Sequence, residues 1–184
     1  MTLVLASGSP RRRQLLEWAG YALSIQVPEV DERILAGESP VAYAERLAAA
    51  KGQVDRSGAV RVAADTVVHL DGVVLDKPRD RAEVVAHLRA LSGRWHKVTT
   101  GFYVGTAREG RAASVTTEVR FRALGEAEIQ RYAQSGEGDD KAGAYGIQGL
   151  GGALVAELRG SWTNVMGLPL EEVLTALHGL EQHP

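Results

Sequence analysis

The chain opens on a short apolar run at residues 2–6. It is stopped at once by Ser7-Gly8-Ser9 and followed by Pro10, Arg11, Arg12 and Arg13. A run this short, apolar nearly throughout, predicts a strand buried on both faces. Ser9 suits a helix N-cap and Pro10 the first helical position, so a helix is predicted to about Ala19, stopping at Gly20. The opening unit is thus strand, tight loop, helix, with three arginines in the first turns of the helix.

The same kind of punctuation continues. Ser39 and Pro40 start a second helix that ends at Lys51 and Gly52. Valine-rich runs at 60–70 and 73–75 flank Asp71-Gly72, a strong hairpin signal. Asp80 with Glu83 makes a capping-box pattern for a third helix ending near Ser92-Gly93. Strands are predicted at 96–107 and 113–122, a short helix at 126–134, a strand at 153–158 and a last helix at 170–180. Residues 135–152 are glycine-rich and long for a loop, a length that points to function. Hairpins and crossovers together give an α/β fold with a mixed sheet and helices on both faces.

With 184 residues the chain suits a single domain spanning 1–184. A formal net charge of -2 argues against polyanion binding by bulk charge, so any anion site must be a local cluster. The absence of cysteine excludes disulfides, thiolate zinc sites and iron–sulfur clusters. The arginines follow the apolar run, the reverse of a secretory signal, and no apolar stretch approaches the ~20 residues of a membrane span. A soluble cytoplasmic protein is expected, with neither nucleic acid nor membrane as partner.

Three clusters could carry chemistry. In Ser7-Gly8-Ser9-Pro10-Arg11-Arg12, helix-end amides, hydroxyls and guanidinium forks are all suited to phosphate oxygens. A capped helix with a solvated basic face would have the same spacing, and no Walker motif is present. In Ala63-Ala64-Asp65-Thr66, a carboxylate lies within or at the end of a buried strand and needs a cation, metal or donor. It reads as a general base or metal ligand, or as a strand-end cap. The hairpin is expected to fold Lys77 back toward it. In the segment 139–149, small residues could wrap a ligand and Gln148 could read a base edge, although composition alone favours a flexible loop.

Asp31 and Glu32 could offer oxygen ligands to Mg²⁺, or form an exposed acidic turn. Lys51 ends the second helix. Histidines 69, 87, 96, 178 and 183 show no metal-ligand spacing and read as surface or structural. Trp18, Trp95 and Trp162 read as core or rim packing.

Taken in order, LASGSPRR at 5–12, VDE at 30–32, AADTVV at 63–68, LDKP at 75–78, LSGRWHKVTTG at 91–101, DKAGAYGIQG at 140–149 and GSWTNVMGLPL at 160–170 resemble the Maf family across nearly the whole chain. The resemblance implies an elongated α/β fold with a mixed sheet, similar to inosine triphosphate pyrophosphatases. It implies hydrolysis of a nucleoside triphosphate to the monophosphate and pyrophosphate, with a divalent cation, Mg²⁺ or Mn²⁺. Asp65 matches the family's proton acceptor, and Arg12, Thr66 and Gln148 match positions tied to substrate choice. Ser7, Arg11, Glu32, Lys51 and Lys77 match polar positions of the substrate site, with Glu32 and Asp65 as the metal carboxylates.

Gln148-Gly149 with Gly160-Ser161-Trp162 is similar to the subgroup that prefers dTTP and UTP. The other subgroup, which prefers 7-methyl-GTP, has Glu-Gly and Gly-Asp-Asp at these places. Trp162 and Leu154 depart from the usual tyrosine and phenylalanine. The partner expected is the nucleotide, with a homodimer as the assembly considered. The rival to an enzyme is a nucleotide-binding regulator of septum formation. Asp65 weighs against it, since a pure binder of polyanions gains affinity by lacking that charge.

Overall fold

The computed structural model describes residues 3–54, 58–182 and 184. Seven strands form one mixed sheet: β1 (Leu3–Leu5), β2 (Leu23–Ile25), β3 (Arg61–Leu70), β4 (Val73–Leu75), β5 (Trp95–Gly105), β6 (Gly110–Phe121) and β7 (Val155–Arg159). The order is β2-β1-β3-β5-β6-β7, with β4 also paired to β3. Among the described residues six α-helices accompany them: α1 (Pro10–Trp18), α2 (Pro40–Gln53), α3 (Arg81–Leu91), α4 (Glu126–Ser135), α5 (Trp162–Met166) and α6 (Leu170–Gly179). The expected α/β class with a mixed sheet is the one the chain adopts.

The sheet combines both pairing modes. β1 lies parallel to β2 and to β3, with Leu5 opposite Ile25 on one side and Val62 on the other. β3–β4 and β6–β7 are antiparallel. At the β3–β4 turn Asp71 and Gly72 have φ of 51° and 82°, the two left-handed residues that a tight two-residue hairpin requires.

The chain divides into two compact units. The first contains residues up to 66, 100–115 and 167–184, and the second contains 67–99 and 116–166. In the first, Leu5, Leu15, Leu16, Leu47, Val62, Leu168 and Leu177 are fully buried. In the second, Val68, Val84, Leu88, Leu91, Val98, Phe121, Ile129 and Tyr145 form one apolar cluster. Continuous burial of β1 on both faces is what its unbroken apolar run predicts.

Local signals set most helix starts. The Ser39 hydroxyl accepts from the Ala42 amide, and the Asp80 carboxylate accepts from the Glu83 amide, each a cap of about 1 kcal/mol. Ser9 differs from expectation. It is extended ahead of Pro10 but makes no side-chain cap, and its own amide donates to Ser7 Oγ at 3.2 Å.

Other departures have physical causes. β2 escapes sequence reading because it is three residues long with two of them exposed, so it has no apolar pattern. α5 has five residues, too few for a helical period. Trp18 is 64% exposed rather than packed. Residues 135–152 are not a plain loop: they contain 3₁₀ turns at Ala142–Ala144 and Leu150–Leu154, and Gly143 to Gly146 are buried. Thr2 of the first predicted strand, and His183, lie outside the described residues. Among the described residues no helix is long and apolar enough to cross a membrane.

Candidate active site

The parallel trio β2-β1-β3 determines where chemistry can sit in the first unit. The chain leaves β1 for β2 through α1, then returns past β1 to β3 through α2. Two crossovers of the same hand running in opposite directions put their helices on opposite faces, and β1/β3 becomes a switch point. Open α/β sheets bind ligands at the carboxyl ends of the strands at such a point. With Leu5 opposite Val62, Asp65 and Thr66 follow just past the end of β1 and precede the pairing with β4 that begins at Val68.

Asp65 and Thr66 are consecutive on a strand, so their side chains take opposite faces. Their partners agree. Asp65 Oδ1 accepts from Lys51 Nζ of α2 at 2.6 Å, and Thr66 Oγ1 accepts from Arg12 Nη2 of α1 at 3.1 Å. They also interrupt an otherwise buried strand, since both are half-buried while the residues on either side are fully buried.

Lys51 bridges two carboxylates, reaching Glu32 Oε1 at 2.7 Å as well as Asp65. Its side chain is 12% exposed and that of Asp65 14%, against 56% for Glu32. The segment bearing Glu32 is tied to α2: Tyr43 Oη donates to the Glu32 carbonyl at 2.7 Å, and Arg46 holds Glu38 and the Arg33 carbonyl. Asp31 turns to Arg33 instead, at 2.6 Å on the surface, so it is the exposed acidic turn rather than a ligand beside Glu32.

The Arg12 guanidinium is committed on three sides. Nε donates to the Gly167 carbonyl at 2.7 Å, Nη1 to Ser7 Oγ at 3.0 Å and Nη2 to Thr66. Thr66 Oγ1 in turn shares a hydrogen bond with Thr100 Oγ1 at 2.9 Å. Burial pushes the Arg12 guanidinium down from its ordinary value, and the charge of Asp65 opposes that shift. Arg11 is half-buried in the same helical turn, whereas Arg13 is exposed and pairs with Glu17. The spacing of Arg12 from Arg13 therefore separates an inward cation from a solvated one.

Six predicted side chains thus meet directly in two triplets: Ser7–Arg12–Thr66 and Glu32–Lys51–Asp65. Lysine 51, on α2, is the partner of Asp65. Lys77 stands exposed two residues past the end of β4, in the second unit. Gln148, also in the second unit, is exposed, as are Gly149 and Leu150 after it, between buried Gly146 and buried Gly151.

Gly167 and Thr100 escaped assignment from sequence. They lie 155 positions from Arg12 and 34 from Thr66, and no local pattern marks an acceptor that far away. His69 and His96 are structural, bonded to Thr99 at 3.1 Å and Tyr145 at 2.8 Å.

Among the described residues no three histidine or carboxylate side chains gather as a metal cage. Glu32 and Asp65 nonetheless fit Mg²⁺ or Mn²⁺ as a donor set, since Mg²⁺ commonly takes one or two carboxylates and completes its shell with water and substrate phosphates. Their convergence on a single ammonium shows that this spot already gathers negative charge about a cation.

The family model described as Maf-like protein matches residues 2–180. The chain belongs to the Maf family. It is 49% identical over 180 residues to a dTTP/UTP pyrophosphatase of Vibrio cholerae, covering 96% of each chain. It is 51% identical over 179 residues to a dTTP/UTP pyrophosphatase of Anaeromyxobacter dehalogenans, covering 95% of this chain and 92% of that one. Among solved structures, a HAM1 protein from Coxiella burnetii superposes with a TM-score of 0.53 at 17% identity, covering 97% of this chain and 100% of the other. At that identity the likeness extends the Maf description by fold alone.

Proposed function

We propose that this Maf protein hydrolyses dTTP and UTP to their monophosphates and pyrophosphate. The observation that carries the reading is the Lys51–Asp65 pair beside the Arg12–Thr66 pair, at the carboxyl end of β1, in a chain about half identical to two dTTP/UTP pyrophosphatases. A general base has to be held, partly desolvated, beside cations that bind the phosphates, and Asp65 has that setting.

In the proposed reaction a water oxygen attacks the α-phosphorus and the bond from that phosphorus to the bridging oxygen breaks. The water proton passes to Asp65 and pyrophosphate leaves with the bond's electrons. Lys51 withdraws from Asp65 toward the triphosphate, freeing the carboxylate while adding positive charge where the leaving group forms. Arg11, Arg12 and the uncapped amides at the start of α1 hold phosphate oxygens. Glu32 and Asp65 would hold a divalent cation, which neutralises phosphate charge when bound. Lys77 supplies a further phosphate contact and Gln148 reads the base edge in this proposal. The amide of Gln148 can satisfy both a carbonyl oxygen and the ring N–H of uracil or thymine, and it mismatches cytosine.

A panel of dTTP, the four ribonucleotides and 7-methyl-GTP, assayed for pyrophosphate with Mg²⁺ present, tests the reading. Preference for dTTP and UTP is the expected result. Preference for 7-methyl-GTP rejects the substrate assignment. Binding of nucleotide without turnover rejects the enzyme and leaves a regulator.

A further inference from the structure

Residue Gln148 sits between two pieces of backbone that are tied to the same pair of side chains. On one side, the Gly146 amide donates to Tyr132 Oη at 3.2 Å. On the other, the Leu150 amide donates to Glu137 Oε2 at 2.7 Å and the Gly151 amide to Glu137 Oε1 at 2.8 Å. The pair closes on itself, with Tyr132 Oη donating to Glu137 Oε1 at 2.8 Å. Tyr132 is buried in the core of the second unit and is anchored on α4, while Glu137 follows just after that helix ends.

The fit leaves no slack. A Cβ at Gly149 would run into the Glu137 carboxylate and push it off the amides it holds, so glycine after Gln148 lets the backbone come this close. Burial pushes the Glu137 carboxyl up, but the amides of Gly151 and Leu150, the Tyr132 hydroxyl and the charge of Lys141 together hold the group below its usual range. The carboxylate therefore keeps its charge, and its two oxygens, throughout the neutral and mildly acid range.

We propose that Glu137, braced by Tyr132, is a positioning residue for base selection: it fixes the backbone after Gln148 while Tyr132 fixes the backbone before it, so that the exposed amide meets the nucleobase in one orientation. This rests on the reading of Gln148 above. A side chain that discriminates by donor and acceptor pattern discriminates only if its rotation and backbone are restrained. A loosened amide can turn to satisfy cytosine as well as uracil. Glu137 touches neither substrate nor reacting atoms in this scheme, so its loss should act on selectivity and leave the chemical step alone.

The test is Glu137→Gln in the full chain, with Tyr132→Phe as the milder second variant. Glutamine keeps one acceptor but turns an N–H toward a backbone N–H, so one amide loses its partner. The ratio of kcat/KM for UTP over CTP should fall about fivefold or more, mainly through a higher KM for UTP with kcat nearly unchanged. Tyr132→Phe should shift the ratio the same way by less. Amide hydrogen exchange, measured without any nucleotide, should accelerate about tenfold or more at Leu150 and Gly151 while α3 stays protected.

Unchanged exchange at Leu150 and Gly151 in Glu137→Gln overturns the restraint. Changed exchange with an unchanged UTP:CTP ratio overturns its role in selection. A fall in kcat with an intact ratio does the same. Wild-type protein inert on every nucleotide overturns the hydrolase reading and the selective role with it, and the exchange arm still decides whether the restraint exists.

Discussion

Lys51 Nζ donates to Asp65 Oδ1 at 2.6 Å across the gap from α2 to β3, with both side chains largely withdrawn from solvent. The same ammonium holds Glu32, so one cation answers two carboxylates. Stability and turnover should therefore separate at this pair.

Asp65→Asn leaves Lys51 an acceptor and still paired with Glu32. Thermal unfolding should change by no more than about 1 kcal/mol. Turnover should fall by at least about 10², the lower end for loss of a general base. Lys51→Met is the reverse case, because it leaves two carboxylates facing each other without their cation. It should destabilise by up to about 3 kcal/mol, the low end for breaking a buried pair. Equal stability of the two variants by denaturant titration would contradict this division.

Arg12 and Arg13 are neighbours in sequence with unlike surroundings. Arg12→Lys cannot reproduce bonds to Gly167, Ser7 and Thr66 from one ammonium, so kcat/KM should drop by about 2–4 kcal/mol of transition-state stabilisation. Arg13→Ala removes an exposed pair with Glu17 and should cost about 0.5 kcal/mol or less. Steady-state kinetics on UTP compares them, and similar losses at both positions would return the arginines to a solvated helix face.

How much of this was legible in the sequence differs between the two arginine contacts. That Arg11 and Arg12 open a helix after a glycine-containing turn follows from residues 5–13 alone, because strand, turn and cap signals are local. That Arg12 finds the Gly167 carbonyl does not, since the acceptor is a backbone oxygen and carries no side-chain mark. Asp65 announced itself as a carboxylate among buried small residues, and its need for a cation followed from burial. The cation expected was Lys77, drawn by the hairpin, whereas Lys51 meets Asp65 from a helix whose packing no pattern at 60–77 encodes. The glycine-rich segment 139–149 looked mobile because composition counts glycines as freedom. In the fold the same glycines permit close packing against Glu137 and Val68.

Acid should weaken the protein in two steps. His96 is buried against Phe121 and Tyr145, and burial lowers its pKa from 6.5 to about 4, with the neighbouring His69 adding to the shift. A histidine depressed in the folded state is neutral there, while the unfolded chain takes up its proton first. Its contribution is fully present above about pH 6.5 and is lost as pH falls toward 4, at up to about 1.4 kcal/mol per pH unit. Glu38 is held near 2 by Arg46, so that contribution fades only below about pH 4.5. Urea unfolding across pH 4–8 should show the first decline, and His96→Gln should flatten it. An unaltered slope between pH 6.5 and 4.5 in that variant would remove His96 as its cause.

Metal dependence follows from the proposed use of the acidic pair. Chelation should stop turnover, and Mg²⁺ or Mn²⁺ should restore it. Glu32→Gln should raise the metal concentration for half-maximal rate by about tenfold or more, since one of two hard oxygen charges is gone. Titration of activity against metal at fixed UTP measures this, and an unshifted midpoint would exclude Glu32 from the metal shell.

The most direct measurement is phosphorus NMR of UTP and dTTP incubated with the wild-type chain and Mg²⁺, beside Asp65→Asn. The predicted result is monophosphate and pyrophosphate appearing in equal amounts with the wild type, and at least about 10² more slowly with the variant. Release of orthophosphate, or equal rates from the two proteins, would contradict attack at the α-phosphorus with Asp65 as the base.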